Sequence, residues 1–309
     1  MWAFSRFVRY FEEAARRGSM RRAGEALHVS ASSIDRQILR IEEELGVPLF
    51  ERQPQGLKLT AAGELVLHKA RSWQNELQAL VSQIEDLKGL RRGHVSLAIV
   101  EGAAYEFASR VNVAFQRRYP GVSFDLQILG SAQVLKAVQE GRVDFGLTMN
   151  PPALPGLRMV ATAVFRLGIV LPPGHALLNK PALRLADCQD HPMVMADASL
   201  GLRAVIDRLL AKSSATPRVV ATSNSIMALK DLVVQGLGIG LMTEMDARKE
   251  IDAGLLCFAP LHDTAIQNSV LSACVATERQ LSLAASGLLA DYAHALRGAQ
   301  PGNARCSAV

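Results

Sequence analysis

The stretch Gly18-Ser19-Met20-Arg21-Arg22-Ala23-Gly24-Glu25-Ala26-Leu27-His28-Val29-Ser30-Ala31-Ser32-Ser33-Ile34-Asp35-Arg36-Gln37-Ile38 decides how the N-terminal end of the chain folds. Gly18 ends whatever helix precedes it. The hydroxyl of Ser19 can accept from a free N–H at a helix start, which predicts a helix over Met20–Leu27. After the turn His28-Val29-Ser30, Ser30 repeats the signal and predicts a helix over Ala31–Leu45, closed by Gly46 and Pro48. Two short helices joined by so short a turn form a helix-turn-helix. Gly24 costs about 1 kcal/mol against Ala inside a helix, which predicts a close helix crossing at that point.

Working outward, Phe4, Phe7, Val8, Phe11 and Ala15 recur at helical steps and predict an amphipathic helix in front. Behind lie two β-type runs, Leu49-Phe50-Glu51-Arg52 and Leu57-Lys58-Leu59-Thr60, with the turn Gln53-Pro54-Gln55-Gly56 between them. They predict a wing whose Arg52 and Lys58 reach phosphates. Thr60 then caps a long helix predicted to run to about Leu90. In it Val66, Ala70, Trp73, Leu77, Leu80, Ile84 and Leu87 step by alternating fours and threes. That is a heptad seam, and it predicts a dimer.

On the helix from Ala31 to Leu45, Ile34, Ile38, Ile41 and Leu45 form one stripe at 100° per residue and are predicted to face inward. Ser32 and Arg36 point nearly opposite, with Ser33 and Arg40 on one flank and Asp35 on the other. A small polar face with one long bidentate donor fits a major groove about 12 Å wide, where Arg reads guanine. The predicted DNA-binding set is Ser32, Ser33, Arg36, Arg40 and Arg52.

The runs Ala23-Gly24-Glu25-Ala26-Leu27, Glu42-Glu43-Glu44-Leu45-Gly46-Val47-Pro48-Leu49-Phe50-Glu51-Arg52 and Leu59-Thr60-Ala61-Ala62-Gly63-Glu64, at this spacing, resemble the N-terminal domain of LysR-type transcriptional regulators. The remainder resembles the same family through Gly141-Arg142-Val143-Asp144-Phe145-Gly146-Leu147 and Val234-Gln235-Gly236-Leu237-Gly238-Ile239-Gly240. The resemblance implies a multidomain chain: an α-helical winged helix-turn-helix domain, a long linker helix, and a two-lobed α/β effector domain like a periplasmic binding protein. It implies a homodimer or homotetramer in the cytoplasm, acting on double-stranded DNA, with a small-molecule effector and RNA polymerase as further partners. The implied boundaries are 1–59, 60–92 and 93–309, with lobe I at about 93–165 and 267–298 and lobe II at about 166–266. Two departures stand out: Ala31-Ser32 replaces the family's usual Gln-Pro, and Asp35 replaces Ser before the Arg. An acid beside phosphates is unfavourable unless it accepts from a base such as cytosine N4, so base preference does not carry over.

From residue 93 onward β-type runs near 95–100, 122–128 and 144–148 alternate with helical patterns near 104–118 and 131–140, and the pattern repeats after Leu167. Such alternation predicts parallel α/β layers. Ligands in such folds sit beyond strand ends, at helix N-termini. Those positions hold Gly102, Ser131, Met149, Ser199, Asn224 and Ser225, the predicted effector set, although singly a Ser or Asn there is more often a cap. A carboxylate effector is the simplest match to free N–H groups. If Glu101 turns into the cleft, an amino compound or zwitterion fits better.

Composition sets the outer limits. The chain has 309 residues, 49% hydrophobic and 20% charged, with a net charge of +5. That excludes a disordered chain and suggests two domains or more. Residues 1–92 hold 15 Lys and Arg against 12 Asp and Glu, and the remainder 19 against 17, so the basic excess is denser at the front. No apolar run reaches the ~18 residues of a membrane span, and no secretory signal is apparent. Cys188, Cys257, Cys274 and Cys306 are far apart in the sequence and read as unpaired thiols, with no metal spacing among them or the histidines. No GxSxG, HExxH or Walker motif occurs, so neither catalysis nor a cofactor is predicted. The alternative class is a solute-binding or enzymatic α/β protein with an appended interaction domain. The absent signal and catalytic set weigh against it.

Overall fold

The computed structural model describes residues 6–54, 56–87, 92–213, 215–264 and 266–299. The chain divides into two compact units, residues 1–83 and 84–309.

In the first unit, helix α1 (Arg6–Arg17) buries Phe7, Val8, Phe11 and Ala14. Ala14, rather than Ala15, completes the stripe; Phe4 lies outside the described residues. Helix α2 (Met20–Leu27) starts where Ser19 Oγ accepts from Arg22 N at 3.4 Å, and ends at His28 in the left-handed region. Helix α3 (Ala31–Leu45) starts where Ser30 Oγ accepts from Ser33 N and ends on Gly46 at φ 69°. Ile34, Ile38 and Ile41 are buried as predicted, but Leu45 is 39% exposed. The stripe stops one turn early because the chain turns away at Gly46. Strands β1 (Phe50–Gln53) and β2 (Gly56–Leu59) pair antiparallel, Glu51 opposite Lys58 and Arg52 opposite Leu57.

Helix α4 (Ala61–Leu87) begins where Thr60 Oγ1 accepts from Gly63 N while donating to Pro48 O at 2.7 Å. Its seam divides in two. Ala70 is buried and Val66 half-buried, both in the same apolar cluster as Phe7, Phe11 and Ile38, while Leu77 and Leu80 are exposed. The front of the seam therefore has a partner within its own domain, where the heptad spacing alone predicted a dimer contact. Ile84 and Leu87 lie outside the described side chains.

In the second unit, two five-stranded sheets carry separate cores. The first contains β3 (Arg92–Ile99), β4 (Gly121–Ile128), β5 (Phe145–Met149), β6 (Leu157–Phe165) and β12 (Ser269–Ala276), in the order β4-β3-β5-β12-β6. The second contains β7 (Leu167–Leu171), β8 (Pro192–Ala196), β9 (Arg218–Ser223), β10 (Ile239–Thr243) and β11 (Cys257–Pro260), in the order β11-β7-β10-β8-β9. Each sheet is mixed, where the alternation predicted parallel layers. Strands β3, β4 and β5 are parallel, as are β8, β9 and β10, but β12 and β7 run antiparallel to their neighbours. The reversals fall where the chain passes between sheets. Arg166 alone separates β6, at the edge of the first sheet, from β7 in the second.

The stretch predicted as one helix over 104–118 is interrupted. A short turn α5 (Glu101–Ala103) leads into a π-helical turn over Ala104–Ala108 and then α6 (Ser109–Arg118). Helices α7 (Ser131–Gln139), α8 (Gly201–Leu210), α9 (Ile226–Val234), α10 (Arg248–Asp252) and α11 (Leu283–Gly298) complete the layers. Asp144, from the Gly-Arg-Val-Asp motif, accepts from Ser96 N at 2.8 Å and pairs with Arg279 at 2.5 Å, tying three segments of the first lobe together. Cys188 and Cys274 are free and buried, but Cys257 is disulfide-bonded, which corrects the reading of unpaired thiols; Cys306 lies outside the described residues.

Gly24 faces the turn and the start of α3. A Cβ there would sit 2.6 Å from Val29 O and 3.2 Å from Ala31 N. The helix-forming gain of Ala, about 1 kcal/mol, is opposed by backbone that cannot retreat without unpicking the cap at Ser30. Gly24→Ala should therefore lower the stability of the N-terminal unit by about 1–3 kcal/mol, read from urea melts of wild type and variant. An unchanged or higher midpoint would show that the turn can shift.

Candidate nucleic-acid interface and interlobe cleft

The outer face of α3 is built from its first turn. Ser30 Oγ lies 3.1 Å from Ser32 Oγ and 2.7 Å from Ser33 Oγ, so three hydroxyls gather at the helix start. Ser32, Ser33, Arg36 and Arg40 are all exposed, opposite the buried isoleucines. Arg40 donates to Glu44 one turn on, at 3.1 Å. Among the described residues Arg36 has no hydrogen-bond or ion-pair partner, so its planar fork of donors is free of them.

Arg52 does not stand alone on the wing. Its Nη2 donates to Asp35 Oδ1 at 2.6 Å, joining β1 to α3. The side chains are 51% and 32% exposed, and a pair so wet contributes ~0–1 kcal/mol. Its effect is positional: it fixes the wing against the flank of α3 and neutralises the acid that departs from the family pattern. Glu42 Oε1 adds a second fixing point by accepting from Leu49 N at 2.6 Å and Phe50 N at 3.1 Å. Neither link is visible in the sequence, since nothing marks Asp35 and Arg52 as partners.

In the second unit the predicted effector residues divide into two groups. Gly102, Ser131 and Met149 line a cavity of about 30 Å³ between the lobes, together with Glu101, Ile226 and Asp246. Ser131, Met149 and Ser199 line a cavity of about 590 Å³ beside it, with Asn150, Gly201 and Arg208. Asn224 and Ser225 line neither. Asn224 is exposed, and Ser225 caps α9 through Ala228 N.

Ser131 is 9% exposed and its Oγ has no hydrogen-bond partner among the described residues. A Cβ on Gly201 would come within 2.3 Å of that oxygen and 3.1 Å of Met149 O, so only glycine lets the start of α8 approach so closely. No side chain caps α8. The start of α8 and the Ser131 hydroxyl therefore meet beside the larger cavity, the hydroxyl without a hydrogen-bond partner among the described residues. Ser199 is less free, because both its N and its Oγ donate to Asp197 Oδ1. Asn150, which the sequence reading missed, has φ 50° and accepts from Val270 N at 2.7 Å.

The start of α9 is filled. Glu101 Oε1 accepts from Ser225 Oγ at 2.8 Å, and Oε2 from Ile226 N at 2.7 Å. Gly102 packs against the Asp246 carboxylate. That carboxyl accepts from Thr243 N and Oγ1, yet burial pushes it above the usual carboxylate range. Beside the β6–β7 crossover lies a further cavity of about 430 Å³ with Glu106, Arg110, Arg248 and Asp252 on its walls. Burial raises the Glu106 carboxyl against the pull of Arg110 and Arg248.

Among the described residues, no three or more His, Cys, Asp or Glu gather as a metal site, and no helix is long and apolar enough to cross a membrane. Burial pushes the Cys188 and Cys274 thiols up to about 12, far from the thiolate a nucleophile needs.

Residues 5–64 match the bacterial regulatory helix-turn-helix protein, lysR family, and residues 88–296 match the LysR substrate binding domain. The chain is 30% identical to the RuBisCO operon transcriptional regulator of Allochromatium vinosum over 238 residues, 77% of this chain and 78% of that protein. In fold it is similar to ArgP from Mycobacterium tuberculosis, at 20% identity and TM-score 0.71, covering 96% of this chain and 98% of that one. It is also similar to full-length CbnR solved with its target DNA, at 22% identity and TM-score 0.62, covering 95% and 98%. With a helix-turn-helix at the front and the two-lobed domain behind it, the chain belongs to the LysR family and is a DNA-binding transcriptional regulator.

Proposed function

We propose that this regulator reads one double-stranded DNA sequence with Ser32, Ser33, Arg36 and Arg40 in the major groove, while Arg52 holds the backbone. The division of labour is residues 1–59 for DNA, 60–92 for self-association and 93–309 for control. Within the last, lobe I spans about 93–165 and 267–298 and lobe II about 166–266. A small molecule bound between the lobes, beside Ser131, Met149, Ser199 and Gly201, alters how the dimer or tetramer engages DNA and RNA polymerase in the cytoplasm.

The observation that carries the DNA reading is Arg36, an exposed guanidinium without a partner among the described residues, at the centre of the face opposite Ile34 and Ile38. Arg36→Ala should cost about 1–3 kcal/mol on the selected site and much less on random DNA. Arg52→Ala should weaken both alike, since a backbone contact carries no sequence. Sites selected from random DNA, followed by titration of each variant, measure this; equal losses for Arg36→Ala on both DNAs would demote it to a phosphate contact.

Self-association rests on Leu77 and Leu80, apolar and 42% and 51% exposed on α4. Leu80→Glu should sediment as a monomer and lose DNA affinity, because paired half-sites are no longer read together. A variant that stays dimeric would move the contact elsewhere.

The control site rests on the unpartnered Ser131 hydroxyl and the uncapped start of α8. In a thermal-shift screen of small carboxylates and amino acids, compounds that stabilise the wild-type chain should lose that effect in Ser131→Ala, with DNA binding in their absence unchanged. Full stabilisation of the variant would place the effector outside this cleft.

A further inference from the structure

We infer that Glu101 is a resident carboxylate, filling from lobe I the anion position at the start of α9 in lobe II, so that the interlobe site admits no acid group of an effector at that end. The inference rests on the effector reading above and narrows it to the chemistry of one end of the cleft.

The geometry is that of a bound acid. A helix start offers free N–H groups and a partial positive charge, which together hold carboxylates. On α9 these donors are Ile226 N, 2.7 Å from Glu101 Oε2, and Met227 N, 3.4 Å from Oε1. Ser225 Oγ donates to Oε1 at 2.8 Å and also accepts from Ala228 N, so the hydroxyl is used in both directions. Both carboxylate oxygens are engaged, and the donors come from a segment 124 to 126 residues away. An effector acid would have to displace a group that is part of the wall. A flexible tether already gives an effective concentration of about millimolar, and Glu101, fixed at the first turn of α5, has no tether to relax.

The surroundings reinforce the exclusion. Asp246 stands behind Gly102, so two carboxylates flank this end. Lys230, which lies close enough to act on Asp246, is committed: its Nζ is 2.7 Å from Glu250 Oε1 and 5.3 Å above the Tyr105 ring. The cavity of about 30 Å³ that runs from Glu101 and Ile226 to Ser131 and Gly201 holds about one water. The other end differs: there the α8 start has no side-chain cap and Ser131 has no partner. Hydrogen-bonding groups of an effector go to that end, and the Glu101 end takes a neutral or cationic group.

Removing the resident acid should convert α9 into a site for a free one, with acetate as the probe. Full-length wild type, Glu101→Ala and Glu101→Gln are melted in sodium acetate and in sodium chloride at equal ionic strength. Glu101→Ala should melt lower than wild type in chloride, and acetate should return about 2–4 °C. Wild type and Glu101→Gln, whose side chains fill the position, should not distinguish the two salts. If Glu101→Ala fails to fold, Glu101→Ser leaves the same vacancy with a smaller loss of polarity. Acetate stabilising wild type as much as the vacated variant, or a vacated variant that acetate does not restore, would overturn the inference. The experiment uses no effector, so its failure is separate from a failure of the Ser131→Ala screen.

Discussion

Each helix begins with N–H groups that have no acceptor within the helix, and leaving them buried and unpaired is costly. This one constraint organises both units. Ser19, Ser30, Thr60, Ser225 and Ser282 each turn a side-chain oxygen onto the third residue of the helix they precede. The Ser30 cap sets where α3 begins, and with it which residues face outward. The Thr60 cap also reaches back to Pro48 O, fixing where α4 leaves the wing. In the second unit the same constraint is met unequally. Glu101 and Ser225 saturate α9, whereas α8 begins at Leu200 with no side-chain cap.

The two sheets explain why such helix starts face one another. The chain crosses from β6 into β7 through Arg166 and returns before β12. Each lobe therefore keeps three parallel strands whose ends aim at the cleft, with an antiparallel pair on the crossing side. Arg166 Nη2 is held by Glu244 at 3.0 Å, which steadies the crossover against the loop after β10. The π-helical turn at Ala104–Ala108 lies on the same side and carries Tyr105, whose hydroxyl reaches Met227 Sδ of α9 at 3.7 Å.

Local signals were legible because they act within a turn or two. The capping serines, Gly46 and the isoleucine spacing placed α2 and α3 at their observed bounds, and the Gln53-Gly56 turn gave the wing. What could not be read depends on neighbours distant in sequence. Leu45 has the right spacing for the core but lacks a surface to meet. Val66 and Ala70 look like dimer positions until α1 and α3 are set beside them. The parallel alternation gave the strands but not the reversals at β7 and β12. At the cleft, Ser131 and Met149 were reachable from strand-end logic. The engagement of Ser225 by Glu101, and of Arg52 by Asp35, joins positions that no period links.

The Asp35–Arg52 pair bears on the ion atmosphere of the bound DNA. Affinity gained by neutralising phosphates comes largely from displaced counterions, each cation lowering log K against log salt by about 0.9. Arg52 is already neutralised within the protein, 2.6 Å from Asp35. On the proposed reading, in which Arg52 turns to a phosphate, it would leave a carboxylate behind, which would draw a cation back to the interface. On that reading the wing contact would release close to nothing, and binding would be less sensitive to salt than the arginines of this surface suggest. That would suit a regulator that reads its site with the groove face of α3, as proposed, rather than by attraction to any duplex.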